Sequence, residues 1–382
     1  MADKDGFYAD INGIIALGCQ IARMNAMTDR FDRMTGPLLA ALGAVNALFA
    51  LIFLAVLLVA MHAMPAAADD CRGENILAAM RDDDPEAYKR LRAEAEATRN
   101  GDTLLFRIDK PGVEPSWLFG TMHLTDERVI DLPENARKAF ETSATVAIES
   151  TEILDPAKAQ LALFSKPELT MFTGSDDLSD YLTDEQREIL KTGLAARGVQ
   201  LALVERMKPW LITGMIALPP CELDRKKAGQ SFLDLKLAQD ADKAGKDLAG
   251  LETIMEQFEA MASLPMEFHV AGLVETIALG DRIDDIIETM IQLYVAGDTG
   301  AIWPMLRAVS PEMNTDAELA DSYAEFEETM VHVRNETMVE RSLPLLDKGS
   351  AFIAVGALHL PGDKGLAALF EKAGYKVTPV YE

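Results

Sequence analysis

Five histidines occur in this chain, and two of them share one local setting. Ser116-Trp117-Leu118-Phe119-Gly120-Thr121-Met122-His123 is an apolar, aromatic-rich run that meets a glycine three positions before a histidine. Ala351-Phe352-Ile353-Ala354-Val355-Gly356-Ala357-Leu358-His359 repeats that arrangement near the other end. A third apolar run, Ala144 to Ile148, ends on Glu149. Two neutral imidazoles and a carboxylate are a standard ligand set for a first-row divalent metal, with positions left for water and substrate. Such an ion lowers the pKa of its bound water and polarises a carbonyl, which is what metal-assisted hydrolysis requires. Glu149 reads either as the third ligand beside His123 and His359 or as the general base that activates water.

Other chemistries lack their residues. There is no HExxH, G-x-S-x-G elbow, Walker P-loop or G-x-G-x-x-G. The cysteines contain no CxxC pair, which argues against thiol-redox or zinc-ribbon roles. The net charge of −26 repels nucleic acid and anionic lipid, and no basic stripe offsets it.

Several residues have both a functional and an ordinary reading. Glu252 ends a short strand pattern, Asp247 to Glu252, and reads equally as a site carboxylate or a helix cap. Asp234 sits early in a helix, where the dipole alone favours an acid; a supporting place behind the site is its second reading. Arg334 and Asn335 fall mid-helix, with salt bridging on a solvated face as the default. Asn335 shares a face with His332 and Met338, so a site role would have Asn335 orienting substrate and Arg334 holding a carboxylate. His269 and His332 read as helix residues of core or surface, and Phe258 and Met261 as helix packing.

The elements must bring positions 123, 149 and 359 together. Thr103 to Ile108 alternates like a strand, Lys110-Pro111-Gly112 turns it, and Ser116 to Gly120 returns as its hairpin partner. A helix over Glu134 to Thr142 leads into the Ala144–Ile148 strand; strand–loop–helix–strand predicts a parallel pair. The middle is helical, with capping boxes at Thr183/Gln186 and Thr253/Glu256 and a long helix over Asp316 to Leu343. Ala351 to Tyr381 reads as one βαβ unit. The expected fold is therefore α/β: a helix-rich single domain around a small mixed sheet, with a helical insertion between N- and C-terminal βαβ-type units. The glycines at 120 and 356 are expected to let the chain turn at the sheet edge without a Cβ penalty, where open α/β sheets place their ligands.

Residues 1–68 are expected to stand apart from the domain at 69–382. Met34 to Ala68 carries no charged side chain, Leu48 to Ala60 is continuously apolar, and Arg23, Arg30 and Arg33 precede it. With Ala66-Ala67-Ala68 before Asp69, this is the grammar of a signal peptide cleaved after Ala68. Residues 38–61 are also long enough for an uncleaved inner-membrane anchor, which needs about 20 apolar residues. Either way the domain is exported, to the periplasm or the membrane surface. Cys71 and Cys221, the two cysteines beyond the leader, then form a candidate disulfide, two free buried thiols being the alternative.

These residues resemble the TraB/GumN family, which includes the Tiki metalloproteases. The likeness rests on Gly120 to His123, Glu149 closing its strand, Gly250-Leu251-Glu252-Thr253, Arg334-Asn335, Gly356 to His359 and the tail from Gly362 to Tyr375. Pro209-Trp210, Cys221-Glu222 and Leu233-Asp234 place it nearest the GumN-like branch. The resemblance covers roughly Thr103 to Tyr381 and implies paired Gly-x-x-His motifs and a glutamate forming a metal site, with proteolysis in the Tiki members. The expectation is an exported hydrolase, a peptidase acting on peptide or protein, dependent on Mn, Co, Zn or Fe. The alternative is a non-catalytic periplasmic binding protein that sequesters a peptide, haem or saccharide in the same cleft. Substrate, metal identity and oligomeric state stay open at this point.

Overall fold

The computed structural model describes residue 71, residues 73–310 and residues 317–381. The leader, with its signal-peptide and anchor readings, lies outside the described residues. Among those described, no helix is long and apolar enough to cross a membrane.

One sheet organises the chain: β1 (Leu105–Asp109), β2 (Ser116–Thr121), β3 (Thr145–Ile148), β4 (Asp247–Gly250), β5 (Ala351–Gly356) and β6 (Lys376–Val380), in the order β4-β3-β5-β2-β1-β6. β1 pairs antiparallel with both β2 and β6, whereas β2–β5, β5–β3 and β3–β4 are parallel. The hairpin of β1 and β2 is as expected. The expected pairing of β2 with β3 is not: β5, from the far end of the chain, lies between them. The reason lies in hydrophobicity. β5 is the longest uninterrupted apolar strand, buried over Ala351 to Val355, and such a strand is stable only with neighbours on both edges and layers on both faces. The outer strands β4 and β6 are more exposed along their length.

Among the helices are α1 (Pro85–Ala97), α2 (Glu134–Thr142), α3 (Pro209–Ile216), α4 (Pro220–Lys227), α5 (Leu233–Lys243), α6 (Ile254–Ala262), α7 (Met266–Leu279), α8 (Arg282–Val295), α9 (Val333–Lys348) and α10 (Leu366–Lys372). Alternation along the strands divides the core into two layers. Phe119, Val146, Ile148 and Phe352 pack with Phe140 of α2 and Leu237 of α5. Leu118, Ala147, Ile353 and Val355 pack with Met338 of α9 and Phe370 of α10. Fully burying one such side chain contributes about 1.5–3 kcal/mol, so the central strands are held from both faces. A separate apolar cluster, including Leu190, Leu194, Ile212 and Leu273, holds the helical middle together.

Local signals survive into the structure. Both capping boxes form, Thr183 with Gln186 and Thr253 with Glu256. The expected long helix is described from Ala317, and it is not uniform: Ala317–Glu327 is followed by a π-turn at Glu328–His332 and then by α9, which runs on through Pro344 to Lys348. A π-turn adds a residue to the helical repeat and rotates the helix beyond it. Arg334, just past it, donates from Nη1 to the Met330 carbonyl at 2.9 Å. Cys71 and Cys221 form a disulfide with Cα atoms 5.6 Å apart, across a sequence separation of 150.

Candidate functional site

The parallel strands end in step. Thr121 of β2 pairs with Gly356 of β5, while Ile148 of β3 pairs with both Ala354 of β5 and Gly250 of β4. Residues just past those ends therefore collect at one edge: His123 after β2, Glu149 after β3, Glu252 after β4 and His359 after β5.

His359 lies in a single 3₁₀ turn, Ala357–His359, and is buried. Its Nδ1 is 2.7 Å from Asn335 Oδ1, while Asn335 Nδ2 donates to the carbonyls of His359 and Lys364 at 3.2 and 2.9 Å. With its amide N–H groups committed to carbonyls, Asn335 presents an acceptor to the ring, so the proton resides on Nδ1 and Nε2 carries a lone pair. Asn335, read from the sequence as a solvated helix residue or as one that orients substrate, is fully buried and orients this histidine. Burial lowers the His359 pKa to about 4, with the Arg334 charge acting in the same direction against Glu149.

His123 has the same device built from different parts. Its Nδ1 is 2.8 Å from Asp234 Oδ2, and Thr121 donates its hydroxyl to Asp234 Oδ1 at 2.6 Å. Asp234 is buried at the start of α5, so its position is not explained by the helix dipole alone; the carboxylate serves the first histidine motif. The Asp234 charge raises the His123 pKa to about 9. The ring stands edge-on to Phe232, with centroids 5.5 Å apart, and its side chain is 58% exposed. The loop beneath is anchored by the buried Glu222 of α4, which accepts from the Thr125 N–H and hydroxyl at 2.8 and 2.7 Å. Lys226 donates to the His123 carbonyl and Tyr294 of α8 to the Gly120 carbonyl.

Glu149 sits between the two histidines in strand order. Oε1 accepts the Gly356 N–H at 2.8 Å; Oε2 accepts from Arg334 Nη2 at 2.9 Å and Gln257 Nε2 at 3.0 Å. Arg334 also grips Glu252, from Nε at 3.0 and 3.1 Å and from Nη2 at 2.7 Å. Glu252 is thus an arginine partner rather than a helix cap, a task taken by Thr253. Arg334 does hold a carboxylate, but the carboxylates are the protein's own. Burial would raise the Glu149 pKa, yet the histidines, Arg334 and the Gly356 N–H prevail and hold it at about 2.

Neither Gly120 nor Gly356 has a positive φ, so turning is not their purpose. A Cβ on Gly120 would stand 3.0 Å from Ala357 Cα, and one on Gly356 would stand 3.2 Å from Glu149 Oε1. Both glycines permit close approach: the first lets the second histidine turn lie against β2, the second lets Glu149 reach the backbone.

Donor chemistry suits a metal in part. His359 Nε2 is 3.8 Å from Glu149 Oε1, and two donors each about 2.0–2.2 Å from one ion are separated by about 3–4 Å. Among the described residues, however, no group of three His, Cys, Asp or Glu is arranged to hold a metal, so His123 does not complete such a set in this conformation. His123, Ile148, Glu149, Phe232 and Gln257 line a cavity of about 140 Å³. Gln257 and Phe232 were invisible to sequence reasoning, because a lone glutamine or phenylalanine in a helical stretch carries no spacing signal. Glu222 was marked only by the resemblance, and Thr121 only by lying within the first Gly-x-x-His.

Fold and site together define a helix-rich α/β protein with a His/Glu/His cluster at one end of a mixed sheet. The chain belongs to the TraB/PrgY/gumN family, whose model matches residues 104–379. It is 28% identical over 307 residues to the protein named Metalloprotease TIKI1 of Danio rerio, covering 69% of this chain and 60% of that one. To Metalloprotease TIKI2 of Danio rerio it is 26% identical over 329 residues, covering 74% and 62%. To Metalloprotease TIKI1 of Homo sapiens it is 26% identical over 312 residues, covering 69% and 59%. The chain therefore spans about three fifths of the length of the curated relatives it matches. No solved structure matches it.

Proposed function

We propose that this chain is a metal-dependent peptide hydrolase, in keeping with the names of its relatives, and that residues 69–382 act outside the cytosol after export by the 1–68 leader. The observation that carries the reading is the matched treatment of two histidines. Each has Nδ1 engaged, by Asp234 or by Asn335, and stands just past the end of a parallel strand; Nε2 of His359 carries a lone pair, and Nε2 of His123 would become a donor once an ion displaces its proton. Metal-ligating histidines almost always donate their other ring N–H to a carboxylate or carbonyl oxygen in this way.

Under this reading His123 and His359 hold the ion through Nε2, with Glu149 Oε1 as third donor. The ion would be a divalent first-row metal, Mn, Co, Zn or Fe, supplying Lewis-acid polarisation of the scissile carbonyl and a more acidic water. A carboxylate held at about 2 accepts protons poorly near neutrality, which favours the ligand role of Glu149 over the base role. Arg334 offsets the charge of Glu149 and Glu252 and fixes both. The exposed His123 and the Phe232 ring beside it form the side of the cavity that a peptide meets first.

The test is elemental analysis of protein purified without a metal-binding tag, joined to cleavage of a peptide library. About one ion per chain, lost in His123→Ala and His359→Ala together with cleavage, is the expected result. Metal content that ignores both substitutions would overturn the site. A second reading, a non-catalytic peptide-binding protein, is favoured by one observation: Arg334, Gln257 and Gly356 already occupy both Glu149 oxygens. Metal-free protein that binds library peptides without cutting them would select it.

A further inference from the structure

The cavity of about 140 Å³ at the strand ends has one apolar side, made by Ile148, Ile153 and Phe232. Ile148 closes β3 and is buried; Ile153, in the 3₁₀ turn Thr151–Leu154, and Phe232, just before α5, are half-buried. His123 and Glu149 line the same cavity. A peptide carbonyl presented to those two residues therefore brings its neighbouring side chains along, since successive Cα atoms lie only about 3.8 Å apart.

Two features set this apolar side apart from ordinary surface. Phe232 occupies the N-cap of α5 and makes no side-chain cap hydrogen bond. Ser, Thr, Asp or Asn at that position would satisfy an N–H of the first turn. The chain forgoes the cap for an aromatic ring at the cavity, and local rules are broken in this way chiefly at functional positions. The ring is held in place, edge-on to His123 with centroids 5.5 Å apart and with Lys226 Nζ 5.6 Å from its centroid.

The second feature is that the polar groups around the cavity are spent on the protein itself. Both Asp234 oxygens are engaged, by His123 and by Thr121, and Glu149 accepts from Gly356, Arg334 and Gln257. The Ser150 hydroxyl accepts the Glu152 N–H at 3.3 Å. A polar side chain entering on the apolar side would lose its water and find no free partner there. An apolar one gains by leaving water. The size agrees: a cavity of about 150 Å³ with apolar walls takes one benzene. This one, at about 140 Å³, has room for a leucine-sized group and too little for an indole.

We propose that this apolar side is a specificity pocket for one aliphatic side chain, valine to leucine in size, flanking the peptide carbonyl presented to His123 and Glu149. The proposal rests on the reading of the strand-end cluster as the place where a peptide is held, and not on whether that peptide is cut. Ile153 and Phe232 are then the residues that set which side chain is accepted.

The experiment measures binding of capped Gly-Xaa-Gly tripeptides to the full chain by ligand-observed NMR, with Xaa as glycine, leucine, asparagine or tryptophan. It is run on protein as purified and again after chelation. Leucine is expected to bind about 10-fold or more tighter than glycine, a discrimination that a few methylenes give in an apolar pocket. Asparagine, close to leucine in shape, and tryptophan should bind no tighter than glycine. Ile153→Trp fills the pocket and should erase the leucine preference. Ile153→Ala widens it and should bring tryptophan at least level with leucine; should Ile153→Trp fail to fold, this variant and the wild-type series still decide. Equal binding of leucine and glycine in both states, or a leucine preference that neither variant alters, would overturn the proposal. A peptide library left uncut while the leucine preference persists would overturn the hydrolase reading alone.

Discussion

Gly356 donates its backbone N–H to Glu149 at 2.8 Å, and a methyl group on Gly356 would stand 3.2 Å from the same carboxylate oxygen. The residue that starts the second histidine turn is therefore also the one that seats the glutamate of a different strand. The two motifs are coupled through a single atom's worth of space.

Gly356→Ala should fold normally and disturb the site. Arg334 and Gln257 pin the other carboxylate oxygen, so Glu149 cannot simply retreat. Uptake of Mn or Zn is expected to fall about 10-fold or more, the size of effect seen when groups supporting a ligand are displaced. Elemental analysis beside far-UV circular dichroism measures this, and wild-type uptake in the alanine variant would refute it.

Asn335 is buried with its amide committed on three sides. Asn335→Ala strands the His359 Nδ1–H and two carbonyls, for an expected loss of about 1–3 kcal/mol. Urea denaturation reads it as a lower midpoint with an unchanged slope. A midpoint equal to that of wild type would show that the hydrogen bonds contribute nothing net.

Stability of metal-free protein should pass through a maximum near neutrality. His359 and Glu149 have folded pKa values of about 4 and about 2, below unfolded values of about 6.5 and 4.3. In each case the unfolded chain binds the proton more readily, so stability is lost as pH falls from about 6.5 to 2. His123, raised to about 9, has the opposite sign: its contribution is complete below pH ~6.5 and disappears as pH climbs through 9. Asp234→Asn removes the cause of that raised pKa and should flatten the alkaline limb while leaving the acid limb in place. Urea melts of chelated protein from pH 4 to 10 supply the measurement; an alkaline limb that persists in Asp234→Asn would contradict it.

The disulfide closes a loop with a sequence separation of 150. Cys71→Ser or Cys221→Ser is expected to cost about 2–5 kcal/mol by releasing that constraint on the unfolded chain. Cys221 adjoins Glu222, which holds the Thr125 end of the loop after β2, so faster protease nicking near Thr125 should accompany the loss. Equal Tm values under reducing and non-reducing conditions would count against this.

Much of the frame was legible from local pattern. The apolar runs ending at Gly120, Ile148 and Gly356 are the buried strands β2, β3 and β5, because a strand covered on both faces must be apolar throughout. The boxes at Thr183 and Thr253 marked helix starts for an equally local reason: side chain and backbone partners lie three residues apart. His123, Glu149 and His359 stood out because each follows such a run.

Tertiary structure decided the rest. Strand order is a matter of which edges find which neighbours, so no window of sequence foretold that β5 would enter between β2 and β3. The partners of the site were hidden for the same reason. Asp234 and Arg334 have ordinary local explanations, a helix start and a charged helix, and only packing turned one toward His123 and the other toward Glu149 and Glu252. Sequence by itself determined which side chains stand at the strand ends. The hydrogen bonds that free one nitrogen of each histidine come from helices 24 to 111 residues away, and burial against those helices is what gives the pair its geometry.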